Sequence, residues 1–172
     1  MFAGWNNFFF MVGSSGGGLI GLLFVVVTLT SGAERPQALH GARIYLTPTA
    51  LHFAVVLTMS AVAIAPALPV VMSAGLFGVI AVVGLGYAIR SCVGMATAKG
   101  GTTHWSDFWM YGAGPAAIYL GLVAAATAIA TRTPWAVHAL AALLLILLIT
   151  AIRNAWDLIT WMAPKRSSDG GL

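Results

Sequence analysis

Five apolar stretches, each close to the length of a membrane-crossing helix, follow one another along this chain of 172 residues. A helix needs about 20 apolar residues to cross the hydrocarbon core of a bilayer, because each residue advances it by about 1.5 Å. Within that core every backbone N–H and C=O group needs a partner inside the protein, which favours helices as the spanning segments. The sequence therefore predicts an all-α integral membrane bundle that forms one transmembrane domain over residues 1–164.

Proline and charged residues mark the ends of these stretches. Pro36 follows the first, and Pro66 and Pro69 separate the second from the third. Thr47-Pro48 and Thr133-Pro134 are typical of an N-cap followed by proline at the first helical position, while Pro115 predicts a kink inside the fourth stretch. The predicted spans are 8–31, 47–65, 70–92, 106–131 and 134–163, and residues 165–172 form a polar tail that we expect to be disordered.

The distribution of basic residues predicts the orientation of the chain. Only 7% of the residues are charged, against roughly 25% in soluble domains, and the net charge is +4. Five crossings leave Arg132 alone on one side and put the other seven basic residues opposite. Because basic loops stay in the cytoplasm, the N-terminus is predicted outside and the C-terminus inside, with the positive charge facing lipid headgroups rather than nucleic acid. The seven are Arg35, Arg43, Arg90, Lys99, Arg153, Lys165 and Arg166.

The first span carries a glycine-rich surface. Gly13, Gly17 and Gly21 are four residues apart and share one helix face, with Gly18 and Ser14 beside them. Small residues let a partner helix approach closely, and such packing drives association inside lipid. We expect an intramolecular contact first, while a homo-oligomer seam and the lining of a narrow pore stay open. The predicted complementary surface is on the third span, at Gly75, Gly78, Gly84 and Gly86.

A group of polar residues is predicted near the cytoplasmic ends of the spans. Arg153 and Asp157 are four residues apart, so they can pair along one helix. Charged groups in membrane spans are costly and often functional, yet long basic side chains also reach headgroups from the end of a span. A structural clamp is therefore favoured over a substrate or ion site. The six candidates are His52, Arg90, Asp107, Arg153, Asn154 and Asp157.

His52 lies inside the second span and needs a partner there. A histidine in that position serves as a proton relay, as a metal or haem ligand, or as a hydrogen-bonded packing residue. Two haem ligands must lie at matched depth, and His138 is near the outer end of its span. His40 and His104 lie in predicted loops without metal-ligand spacing. No cofactor and no metal site are predicted.

The chain resembles a family of small bacterial inner-membrane proteins. The resemblance rests on the segments Phe9–Ser14, Gly21–Val25 and Arg153–Leu158. Some members of that family are labelled "modulator of FtsH protease". The resemblance implies a multi-pass protein of the bacterial inner membrane whose typical elements are the glycine helix and the Arg-Asn-Ala-Trp-Asp segment.

Three classes of function follow from these features. A structural or accessory subunit, packing with itself or with other membrane proteins, is favoured by the small-residue surfaces and short loops. A small channel or transporter that uses the polar group is the alternative. An intramembrane enzyme comes last, because the chain has four acidic residues and no recognisable nucleophile or metal motif. The sequence predicts a protein that is not an enzyme.

Overall fold

A computed structural model describes residues 1–30, 36–97 and 108–162 of the chain. Within these ranges it contains five long α-helices and no strand, and each helical segment is long and apolar enough to cross a membrane. The prediction of an all-α bundle with five candidate spans is confirmed. The helices are α1 (Asn6–Thr30), α2 (Pro36–Ile64), α3 (Val70–Thr97), α4 (Gly114–Ala130) and α5 (Ala136–Met162), and a π-helical turn, Trp109–Ala113, leads into α4.

Helix α2 begins well before its apolar part. The prediction of an N-cap at Thr47 with Pro48 at the first helical position is wrong, because the helix already begins at Pro36 and carries Pro48 inside it. Proline suits the first turn of a helix, where its missing N–H has no partner to lose, and Pro36 supplies that start. The apolar segment of α2 nevertheless covers Thr47–Ile64, as the hydropathy predicted. Residues 36–46 extend the helix by about three turns before this segment.

The turn between α2 and α3 lies at the two prolines, as predicted. Helix α2 ends at Ile64 and α3 begins at Val70. Ala67 has a left-handed backbone with φ 59°, which reverses the chain within a few residues. The Pro69 carbonyl accepts the Ser73 N–H at 3.0 Å, so Pro69 caps the first turn of α3.

Helices α2 and α5 lie nearest the centre of the bundle. Half of the α2 span is buried, against 22% of the α1 span and 28% of the α3 span. Helix α1 packs chiefly on α2, and α3 chiefly on α4. The outward faces of α1 and α3 expose large apolar side chains, as a lipid-facing surface does. The most exposed of them include Phe24, Leu29, Val71 and Val79.

The two ends of the bundle can be told apart by their contacts. Trp5 before α1, Val70 at the start of α3 and His138 near the start of α5 line one cleft together with Arg132, which follows α4. Helices α1, α3 and α5 therefore begin at the same end, which we call the amino end. At the opposite, carboxyl end, Asn154 of α5 contacts the π-helical turn before α4.

Candidate functional site

A buried polar contact joins α2 to α4. The Nδ1 atom of His52 lies 2.8 Å from the hydroxyl oxygen of Tyr119, and the two ring centroids are 5.6 Å apart. Both side chains are almost completely buried. A polar pair in an apolar interior satisfies groups that would otherwise be costly to bury, so this contact fixes the neighbouring helices relative to each other.

A glycine on α3 makes room for the tyrosine ring. A methyl group placed on Gly84 would overlap the Tyr119 ring atoms. Gly84 therefore packs on α4, whereas the sequence suggested a surface complementary to α1. Counted at 1.5 Å per residue from the amino end of the bundle, Gly84 lies about 21 Å from Val70, where α3 begins, and His52 about 18 Å from Ile64, where α2 ends. The three residues form one layer deep in the bundle, which we call the His52 layer.

One nitrogen of His52 has no hydrogen-bond partner. Nε2 is buried and unpaired within the described structure, while Nδ1 is used by Tyr119. The tautomer decides the direction of that bond: either the Tyr119 O–H donates to Nδ1, or an Nδ1–H donates to the tyrosine oxygen. The His52 layer thus contains one interhelical hydrogen bond and one buried polar atom, Nε2, that makes no hydrogen bond with the described residues.

A second polar contact lies at the carboxyl end, around Asn154. This side chain is fully buried, and its Nδ2 donates to the Met110 carbonyl at 3.2 Å. The Tyr111 hydroxyl in turn donates to the Asn154 backbone carbonyl at 3.3 Å. Asn154 Oδ1 has no partner among the described residues. These bonds tie α5 to the π-helical turn.

The geometry of the π-helical turn explains why Asn154 is needed. The Gly114 N–H, the usual donor to the Met110 carbonyl in an α-helix, bonds instead to the Trp109 carbonyl. The next residue, Pro115, has no N–H to offer. Met110 therefore loses both donors that its own helix would provide, and Asn154 supplies the missing hydrogen bond from α5. The kink predicted at Pro115 corresponds to this π-helical turn, with Pro115 in the first turn of α4.

The glycines of α1 divide between two sides of the helix. A methyl group on Gly13 would lie 2.8 Å from Ser60 Cβ, and one on Gly16 would lie 3.1 Å from the Phe53 carbonyl. A methyl group on Gly17 would reach the side chain of Leu57, also on α2, at an ordinary contact distance of 3.7 Å. Part of the predicted glycine surface therefore packs within the chain, against α2.

The other glycines face away from the bundle. A methyl group on Gly18 or Gly21 would meet nothing within 4 Å. Three of the four α3 glycines that were predicted to pack against α1 also have no atom within 4 Å of an added methyl group, namely Gly75, Gly78 and Gly86.

The charged candidates lie on the surface rather than in the interior. Arg153 and Asp157 pair along α5 at 3.9 Å, as their spacing predicted, and each side chain is almost half exposed. Arg90 is exposed as well. Asp107 lies outside the described residues, as do the tail 165–172 and the loop residues Arg35, Lys99 and His104. The described members of the predicted polar group thus separate into two buried neutral residues, His52 and Asn154, and three exposed charged ones.

Two functional partners were absent from the sequence-based candidates. Tyr119 and Tyr111 each place a hydroxyl in an interhelical hydrogen bond. The available signal was a tyrosine within or at the end of an apolar span, because a buried phenol needs a partner for its O–H. No pattern in the sequence indicates which helix provides that partner.

The described residues contain no group of three or more His, Cys, Asp or Glu side chains arranged to hold a metal ion. His52 shares its layer with a tyrosine and a glycine, and neither is a strong metal ligand at neutral pH. His138 packs edge-on against Trp5 with ring centroids 4.9 Å apart, at the amino end. The two histidines therefore belong to separate parts of the bundle.

Comparisons with family models, with curated proteins and with solved structures find no match for this chain. The class that the fold and these contacts define is a multi-pass helical membrane protein. Its predicted resemblance to the modulator family, and with it the bacterial inner membrane, stays a prediction.

Proposed function

We propose that this protein is a structural or accessory subunit that binds another copy of itself or another membrane protein through the outward side of α1. The binding surface, which we call the outer α1 face, consists of Ser14, Gly18, Gly21 and Val25. All four are exposed, and their spacing puts them on one side of the helix. The observation that carries the proposal is the open space above Gly18 and Gly21.

The chemistry of this face suits helix association in lipid. Ser14 and Gly18 are four residues apart, which is the small-xxx-small spacing that lets two helix backbones approach. The opposite side of α1 already packs on α2 through Gly13 and Gly16. Small residues on both sides thus allow α1 to lie between its own bundle and a second helix.

Helix α3 offers a second surface of the same kind. Gly75 and Gly86 are exposed, and Val79 and Val82 lie between them on the outward side. Glycine and valine make a flat surface, because neither side chain extends far from the helix. The two peripheral helices α1 and α3 therefore each carry a row of small or short side chains within their outward sides, while α2 and α5 hold the core.

A small channel or transporter is the second candidate. The unpaired Nε2 of His52 favours it, since a buried polar atom in a span is a feature of ion and proton paths. A path of this kind would need the charged candidates to converge on the interior. Arg90, Arg153 and Asp157 are exposed instead, so the accessory function has the better support.

Photo-crosslinking in native membranes tests the proposal. A photoreactive amino acid at position 18 is expected to yield one discrete protein adduct, either another copy of the chain or a second membrane protein. Ala61, which is exposed on α2, is the matched control position and is expected to yield lipid adducts only. Gly21→Leu should remove the adduct formed at position 18. Lipid adducts alone at both positions would rule out the outer α1 face as a binding surface.

Flux measurements distinguish the two candidates. Wild-type protein in proteoliposomes is expected to show no ion or solute flux above that of empty vesicles. Flux that is present in the wild type and lost in the His52→Ala, Asp157→Asn double variant would replace the accessory function with the transport function.

A further inference from the structure

A cleft of about 290 Å³ opens at the amino end of the bundle. It lies where α1, α3 and α5 begin and α4 ends, so it stands at the boundary between the apolar spans and the membrane surface. Six of its lining residues, which define the amino-end cleft, are Trp5, Val70, Arg132, Pro134, Val137 and His138.

The polar side chains of the cleft are hydrogen-bond donors. Arg132 offers five N–H groups and no acceptor, and the Trp5 indole offers a single N–H. His138 carries an N–H in either tautomer, and its edge-on contact with Trp5, 4.9 Å between centroids, holds the two rings together. None of the lining residues is acidic. The cleft is therefore suited to a negatively charged ligand rather than to a cation.

Arg132 has no opposite charge within the described structure. The one ion pair found there joins Arg153 to Asp157. Arg153 lies about 26 Å along α5 from Ala136, at 1.5 Å per residue, so this pair is far from the cleft. Arg132 is exposed and lines the cleft. An anionic partner for this cation would therefore lie outside the described residues.

The backbone holds Arg132 in place at the cost of an unfavourable conformation. Its φ is 57°, and it occupies the position after α4 at which glycine is usual. The Arg132 N–H donates to the Ile129 carbonyl and the Thr133 N–H to the Ala128 carbonyl, both at 2.9 Å, which is the Schellman pattern that ends a helix. Ala67 also has a left-handed backbone but does not line the cleft. A strained backbone by itself therefore does not indicate a binding site. At Arg132 the strain coincides with an unpaired cation and a donor-lined cleft.

We propose that the amino-end cleft binds a phosphate group through Arg132, with Trp5 and His138 as neighbouring donors. Arg132 follows the apolar span that ends at Ala130, so we expect it in the headgroup region that flanks the hydrocarbon core. A planar guanidinium matches two phosphate oxygens at once. The phosphate comes either from a phospholipid headgroup or from free inorganic phosphate. The inference is independent of the outer α1 face.

The test compares wild type with Arg132→Gly in the full-length, detergent-purified protein. Glycine adopts the left-handed backbone without strain, so this variant removes the guanidinium while the helix end is kept. Arg153→Gln removes a basic side chain at the other end and is the control. Native mass spectrometry with added phosphatidylglycerol measures lipid retention, and calorimetric titration with inorganic phosphate measures binding of the free anion.

We expect binding to fall about tenfold in Arg132→Gly, the loss of one or two charge-assisted hydrogen bonds, and to be unchanged in Arg153→Gln. If lipid retention alone depends on Arg132, the ligand is a lipid headgroup. If inorganic phosphate binds and displaces the lipid, the site accepts the free anion as well. Equal binding of both probes by wild type and Arg132→Gly, or no binding of either by the wild type, would overturn the proposal. Thermal unfolding of Arg132→Gly at or above the wild-type temperature confirms that the variant is folded.

Discussion

The His52–Tyr119 hydrogen bond and the Arg153–Asp157 ion pair are two polar contacts that differ in burial and in the elements they join. His52 and Tyr119 come from different helices, are almost fully buried and lie 2.8 Å apart. Arg153 and Asp157 come from one helix, are almost half exposed and lie 3.9 Å apart. The first contact links two residues that are 67 positions apart in the chain, while the second links residues one helical turn apart.

The difference shows which polar residues organise the bundle. Charged groups are expensive to desolvate, so an ion pair gains little from burial, and the structure leaves this one at the surface. Neutral groups such as imidazole, phenol and amide are cheaper to bury when each finds a hydrogen-bond partner. His52 and Asn154 each make one such bond, to α4 and to the π-helical turn before it, and each keeps one buried atom, Nε2 or Oδ1, without a partner among the described residues. We therefore expect the neutral residues to contribute more to the stability of the fold than the charged ones.

The largest expected effect comes from filling the space beneath the tyrosine ring. Gly84→Ala would force Tyr119 to move, which strains the packing and breaks its bond to His52. We expect a destabilisation of about 3 kcal/mol, at the upper end for overpacking a core. The free energy of unfolding in mixed micelles, measured by steric trapping, checks this value.

Gly86→Ala is the matched control, because it lies on the same helix and a methyl group there meets nothing within 4 Å. It should leave stability unchanged or raise it slightly, since alanine favours helix more than glycine does. Equal effects of the two substitutions would mean that the His52 layer is not tightly packed.

An intermediate effect is expected from removing the tyrosine hydroxyl. Tyr119→Phe keeps the ring over Gly84 but leaves both nitrogens of His52 without a partner. Interhelical hydrogen bonds in membrane proteins contribute about 1 kcal/mol, and the same unfolding measurement should show a loss of that size. Tyr87→Phe on α3 is the control, since the Tyr87 hydroxyl makes no hydrogen bond with the described residues, and it should have no effect. A loss in Tyr87→Phe equal to that in Tyr119→Phe would show that the bond to His52 contributes nothing specific.

The smallest effect is expected at the exposed pair. Asp157→Asn removes the charge that Arg153 contacts, and exposed pairs four residues apart in a helix contribute less than about 0.5 kcal/mol. The change in unfolding free energy should be smaller still at high salt, because ions screen surface charges. A loss greater than that caused by Tyr119→Phe would reverse the comparison and would make the Arg153–Asp157 pair a structural clamp.

Much of the architecture was predictable because it depends on local properties of the chain. Long apolar stretches predict the five helices, and Pro66 and Pro69 predict the turn between α2 and α3. The start of α2 was not predictable in this way, because Pro36 and Pro48 carry the same local signal and only one of them begins the helix. The pairing of Arg153 with Asp157 was predictable, since both residues lie on one helix and its geometry is known.

The sequence by itself determined the all-α class, the number of candidate spans and the positions of the polar residues along them. These follow from the cost of exposing backbone groups to lipid and from the length of a membrane-crossing helix. Only the tertiary structure decided that His52 meets Tyr119, that Gly84 lies beneath the ring, and that Asn154 replaces the donor missing at Pro115. Contacts between helices depend on how each helix is rotated and which neighbours it has. Apolar helices in lipid have no strong periodic pattern that would reveal either, because lipid and protein interior favour the same side chains.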